Sequence, residues 1–193
     1  FLGFESKGRA FEVVIQLGAV LAIMALYAEK LWQVVSTPGS NASRRALVSI
    51  LIAFLPAALL GALAHDFIKT VLFETPALIA TMLILGGVIL LFVDRMAPPV
   101  LHDDALALPF RKALIVGLAQ CLSLVPGVSR SGATIVSSLM LGVSKRAAAE
   151  FSFFLSMPTM IGAFAFDLYL NRTVLDFKAL SDIGIGFGVA FVT

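Results

Sequence analysis

The chain has 193 residues, 60% of them hydrophobic and only 13% charged, with a formal net charge of +2. A soluble domain carries about 25% charged residues, so too few polar groups remain here to cover a water-facing surface. Disorder is excluded, membrane becomes the default class, and no basic block marks a nucleic-acid partner. The lone Cys121 excludes a disulfide framework and a cysteine-rich metal site.

In chain order, the first stretch with the ~20 apolar residues needed to cross a bilayer is Phe11 to Trp32. It is uncharged from Val13 to Ala28 and ends on Glu29, Lys30 and Trp32, which suit a membrane interface. The second is Ala46 to Ala64, with Pro56 inside. The third is Thr75 to Val93, with Gly86-Gly87 inside. The fourth is Arg146 to Leu170, with Pro158 inside, and a fifth begins near Ile183. Internal proline and glycine are tolerated where neighbouring helices satisfy the freed backbone. With the Ser36–Arg45 loop placed inside, the inner side holds Lys30, Arg44, Arg45, Arg95, Arg111, Lys112, Lys145 and Arg146. The outer side holds Lys7, Arg9, Lys69, Arg172 and Lys178. Eight against five favours this orientation.

Between Lys112 and Arg146 the chain is apolar except near its middle, where Pro126-Gly127 is a strong breaker pair. The halves Ala113 to Val125 and Ser131 to Val143 are each ~20 Å long as helix, too short to span ~30 Å of hydrocarbon. They predict a re-entrant hairpin, 113–143, with its tip near mid-membrane. That tip carries Arg130, and a charge at bilayer depth costs ~2.5–3.5 kcal/mol on the lenient insertion scale. An anion would offset the cost. Ser129, Arg130, Ser131 and Thr134 gather at the N-terminus of the second half-helix, where free N–H groups and the positive dipole end point. A guanidinium binds phosphate oxygens through two parallel hydrogen bonds, and Gly127 and Gly132 allow close backbone approach. The pattern predicts a phosphate site. The alternative has Ser129 as a plain cap and Arg130 reaching to an interface.

Gln120 and Ser123 border the break, either lining the cavity or bonding between helices. Glu12 and Gln16 share one helix face, and Glu12 is a candidate metal ligand. Arg146 and Glu150 stand at ion-pair spacing, with Ser152 and Ser156 extending the polar stripe. His65, His102 and Asp103-Asp104 read as interfacial or loop residues.

Pro126-Gly127-Val128-Ser129-Arg130-Ser131-Gly132-Ala133-Thr134 resembles the signature of the bacterial undecaprenyl-diphosphatase family, also called the bacitracin-resistance protein family. Phe11-Glu12-Val13-Val14-Ile15-Gln16-Leu17-Gly18 and Glu150-Phe151-Ser152-Phe153 are further matching blocks. The resemblance implies an all-α, polytopic membrane bundle with inverted repeats, each containing a re-entrant helix pair. It implies hydrolysis of undecaprenyl diphosphate, recycling the lipid carrier of cell-wall synthesis in the bacterial inner membrane, with bacitracin resistance as a consequence. It also implies a divalent cation, Mg2+ or Ca2+. The motif serine and arginine fall on Ser129 and Arg130 as catalytic candidates. Ser131 and Thr134 follow as substrate-binding residues, with Gly127, Gly132 and Gln120 beside them. The substrate and surrounding membrane lipids are the expected partners, and a homodimer stays open. The competing class is a transporter or flippase for a phosphorylated lipid or another anion, since interrupted helices serve both.

The chain begins at Phe1 and stops inside an apolar run, so it is read as a single membrane domain truncated at both ends. The family's glutamate motif, with its serine and histidine, would precede Phe1. Residues 1–193 alone are therefore expected to be inactive. Metal-dependent phosphate release by the purified 193-residue chain would refute this.

Overall fold

The computed structural model describes Gly18 and residues 21–37, 39–72, 74–170 and 180–192. They form helices and connecting loops, and no strand occurs among the described residues beyond an isolated bridge between His102 and Val143. The helices are α1 (Ala28–Ser36), α2 (Asn41–Leu63), α3 (Pro76–Met96), α4 (Phe110–Gln120), α5 (Arg130–Met140), α6 (Lys145–Leu170) and α7 (Leu180–Val192). Residues 21–26 are also helical.

Helix boundaries follow local chemistry. Ser40 caps α2, its Oγ accepting from Ser43 N at 3.1 Å, so α2 starts before the apolar run and takes Arg44 and Arg45 into its first turn. Pro76 opens α3 at a position where its missing N–H costs nothing. Pro56 and Pro158 lie inside continuous helices. After α2 the chain runs through a π-helical turn, Ile68–Leu72, which hydropathy does not signal. Helices α2 and α3 are long and apolar enough to cross a bilayer, with mean hydropathy 2.5 and 2.6. Glu12 and Gln16 lie outside the described residues.

The chain divides into two compact units, Gln33–Leu155 and the pair Phe1–Trp32 with Ser156–Thr193. In the second of these, Gly18 meets α7 so closely that a Cβ there would lie 2.8 Å from Phe187 O.

The Gln33–Leu155 unit holds the interrupted segment. Helix α4 lies against α2 along its length, and at the crossing a Cβ on Gly117 would lie 2.4 Å from Ala53 O. Backbone thus packs on backbone. Ser49 Oγ donates to Leu108 O at 2.9 Å and fixes α2 beside the start of α4. The first half of α6 is the core: Ala147, Ala148, Phe151, Phe154 and Leu155 are all buried. By contrast α3 buries only Val93 and leaves Leu83, Ile84, Val88 and Leu91 exposed.

Helices α4 and α5 form a hairpin. Lys112 Nζ donates to Leu141 O at 2.6 Å, joining the start of one arm to the end of the other. Its bounds differ from the expected 113–143. The first arm starts at Phe110 and continues through a 3-10 turn, Cys121–Leu124, and the second runs from Arg130 to Met140. A 3-10 turn rises ~2.0 Å per residue against ~1.5 Å for an α-helix, so the first arm extends to roughly 24 Å. The tip accordingly lies past the middle of its neighbours. Leu124 reaches Gly61 in the last turn of α2, and Gly127 meets Ile79 in the first turn of α3. Ile79 stands roughly 25 Å from the other end of α3. The tip thus stands level with the last turn of α2 and the first turn of α3.

Gly117→Ala is expected to destabilise the unit by about 1–3 kcal/mol through overpacking against Ala53. Gly86, with nothing within 4 Å of a built Cβ, is the control. Gly86→Ala should leave the thermal midpoint in detergent unchanged or raise it. Equal midpoints for both variants would contradict the close α2–α4 crossing.

Candidate functional site

The break between α4 and α5 is a tight turn. Val128 N donates to Val125 O at 3.1 Å, with Pro126 and Gly127 at the two central positions and Gly127 at φ +92°. Proline followed by a positive-φ glycine is the residue order of a type II turn. Glycine is required twice over, because a Cβ at Gly127 would also lie 2.4 Å from Ile79 O. Its role in the structure is thus to turn the chain and seat it on α3. Gly132 serves the cap: a Cβ there would meet Ser129 Cβ at 3.0 Å and Oγ at 3.2 Å. At both glycines the close approach is made to the protein's own atoms.

Ser129 is extended (φ −68°, ψ 122°) and its Oγ accepts from Gly132 N at 3.1 Å, capping α5. Its Oγ also lies 3.3 Å from Ser131 Oγ, and both residues are exposed. Neither hydroxyl is bonded to a histidine or carboxylate among the described residues, so Ser129 has no adjacent base there.

Arg130 begins α5 and is half-buried. Among the described residues its guanidinium makes no hydrogen bond or ion pair. The Arg130 and Ser131 N–H groups open the helix, where no intrahelical acceptor exists. Arg130, the Ser129 and Ser131 hydroxyls and two amides without intrahelical acceptors thus belong to the positive end of an 11-residue helix. This set can bind a phosphate and stabilise added negative charge on it.

Thr134 is placed differently. It is buried, and its Oγ1 lies 3.1 Å from Arg130 O, 3.1 Å from Ser131 O and 2.7 Å from Ser152 Oγ on α6. Its hydroxyl faces Ser152 and braces the first turn of α5 against α6. Gln120 is buried at the end of α4, and its carbonyl accepts from Ser123 Oγ at 2.7 Å. Ser138 Oγ donates to Thr134 O at 2.7 Å and continues the buried polar line down α5.

The far end of the hairpin is clamped. Leu101 N donates to Gly142 O at 2.7 Å and Ser144 N to His102 O at 2.8 Å. Ser144 Oγ donates to Asp103 and accepts from Ala147 N, capping α6. Lys145 Nζ meets Asp94 at 2.7 Å, and Arg146 Nε meets Glu150 Oε1 at 3.2 Å. Asp103 and His102, read from sequence as plain loop residues, are parts of this clamp.

No group of three or more His, Cys, Asp or Glu side chains suited to a metal ion occurs among the described residues. The groups around Arg130 are donors and a cation. They do not by themselves fit a divalent metal.

A family model described as bacitracin resistance protein BacA matches residues 1–193. A Cereibacter sphaeroides protein named undecaprenyl-diphosphatase is 67% identical over 193 residues, which is all of this chain and 72% of that protein. Undecaprenyl-diphosphatase 1 of Mesorhizobium japonicum is 62% identical over 194 residues, again covering all of this chain and 72% of its own. The undecaprenyl-diphosphatase of Paracoccus denitrificans is 60% identical with the same coverage.

Proposed function

The chain belongs to the bacitracin resistance protein BacA family, and from that membership we propose how its residues serve hydrolysis of undecaprenyl diphosphate in the membrane. The products are undecaprenyl phosphate and inorganic phosphate. The observation that carries the site assignment is Arg130: half-buried, unpaired among the described residues, and beside the free amides opening α5. Attack on a diphosphate places extra negative charge on the transferred phosphoryl oxygens. Arg130 and the helix terminus supply donors fixed in place before that charge develops, which is the larger part of electrostatic catalysis. Ser131 adds a neutral donor. Ser129 holds the terminus in shape, and its role as nucleophile stays secondary because no base neighbours it among the described residues. The isoprenoid tail would remain among apolar side chains such as those exposed along α3.

A divalent cation, Mg2+ or Ca2+, belongs to this reading, with Glu12 as its candidate ligand. The roles of Arg130, Ser131 and Ser129 do not run through it.

The membrane setting is a multi-pass protein of the bacterial inner membrane. In the Gln33–Leu155 unit, Arg44, Arg45, Arg95, Arg111, Lys112, Lys145 and Arg146 sit toward the clamped end of the hairpin, against Lys69 and Arg130 toward the other. Positive charge toward the cytoplasm puts the clamp inside and turns the Arg130 tip toward the outer face. The transporter reading uses the same interrupted helices, and the enzyme name borne by the relatives favours hydrolysis over it.

Two measurements test the proposal in the full-length protein. Arg130→Ala should lower turnover of a long-chain isoprenyl diphosphate roughly a hundred- to thousand-fold, the cost of losing one fixed electrostatic stabiliser. Arg130→Lys should fall between that and the parent, since it keeps the charge and loses the planar fork. Near-parental turnover in Arg130→Ala would refute the phosphate assignment, and absence of phosphate release by the parent would favour a carrier. Single cysteines replacing Lys112 and Lys145 should be labelled from the same side of the membrane. Opposite sides would refute the re-entrant placement.

A further inference from the structure

The buried hydroxyl pair Thr134–Ser152 joins α5 to α6 without touching the groups that face a phosphate. The two oxygens are 2.7 Å apart, and both residues are buried. Thr134 Oγ1 is also 3.1 Å from the carbonyl oxygens of Arg130 and Ser131. Two hydroxyl protons serve these contacts. Among the described residues Ser152 has no other hydrogen-bond partner, so a Thr134 proton given to Ser152 would leave the Ser152 proton buried without an acceptor. The satisfied arrangement runs one way. Ser152 donates to Thr134, and Thr134 donates to the carbonyls of Arg130 and Ser131.

We infer that Ser152 is a positioning residue for the reaction, holding Arg130 in place through Thr134. The inference rests on the reading of Arg130 as the phosphate-binding group. The two carbonyls at the end of the chain of hydroxyls belong to the residues whose N–H groups and side chains form the site. The other end is anchored in the first half of α6, where Ala148, Phe151 and Leu155 have no exposure. The first turn of α5 is thereby tied to a fully buried part of the unit. The Ser129 cap fixes the turn's internal shape, and the Gly127 contact seats the loop before it, but neither sets how the turn sits against α6. The Ser152–Thr134 bond does. A misplacement of ~1 Å at a catalytic group can cost on the order of a hundredfold in rate, so a bond of this kind affects turnover even though it meets no substrate.

The test is a double-mutant cycle in the full-length protein, with enzyme in excess over a long-chain isoprenyl diphosphate so that slow variants are measurable. Ser152→Ala should lower the rate of phosphate release about tenfold, with kcat and kcat/KM falling together because the interaction matters in the transition state. In an Arg130→Ala background the same change should cost almost nothing further, since the group it positions is gone. Thr134→Val breaks the chain of hydroxyls from its other side at nearly constant volume. It should show the same background dependence, and it decides the matter if Ser152→Ala does not fold. An equal loss in both backgrounds would mean that the hydroxyl pair is structural only. A parental rate in Ser152→Ala would overturn the inference as well. A parental rate in Arg130→Ala would instead overturn the phosphate reading, so the two failures are separable.

Discussion

A helix break inside an apolar bundle must satisfy its own backbone, because no water competes for the freed groups. Most of what surrounds the α4–α5 break answers that constraint. Val125 N goes to Leu122 O, Val128 N to Val125 O, Gly132 N to Ser129 Oγ, and Ser123 Oγ to Gln120 O. Among the described residues no buried side-chain nitrogen or oxygen lacks a partner. Among the described residues the Arg130 guanidinium keeps no partner, and the two amides that open α5 have no intrahelical acceptor. A bound phosphate would engage them.

The sequence made this region legible because its signals are local. Pro126-Gly127 dictates the turn, Ser129 three residues before Gly132 dictates the cap, and the two short apolar arms dictate a hairpin. The length of the first arm was not legible, since nothing local announces that it starts at Phe110 or that Cys121–Leu124 winds as a 3-10 turn. Gly117 was also silent: a glycine in a helix reads as a weak point until Ala53 is known to lie against it. Its place in the motif draws Thr134 toward the site, yet a residue one turn into a helix faces sideways, and here that side is α6. Hydropathy separates α3 from the first half of α6, where Lys145, Arg146, Glu150 and Ser152 interrupt the apolar residues, but it does not say that the latter is the buried one. Ala147 and Ala148 are buried there, while α3 leaves large side chains exposed.

The two ends of the hairpin are held by different means. At the clamped end, main-chain bonds from Leu101 and Ser144, the Lys145–Asp94 pair and the Lys112 ammonium all contribute. At the tip the chain is held by shape, through Gly127 on Ile79 and Leu124 on Gly61. This division follows from the chemistry each end requires. Polar fasteners at the tip would pair with the Arg130 guanidinium and the free amides, leaving them unable to bind a ligand. Contact between glycine and a neighbouring backbone fixes position without supplying a competing charge. Even the buried Thr134–Ser152 bond keeps to the far side of α5, where it directs its protons toward carbonyls and away from the donors. Among the described residues Arg130 stays unpaired, while the carbonyls of Arg130 and Ser131 accept from Thr134. The packing of α5 on α6 thus bears on the groups that open α5.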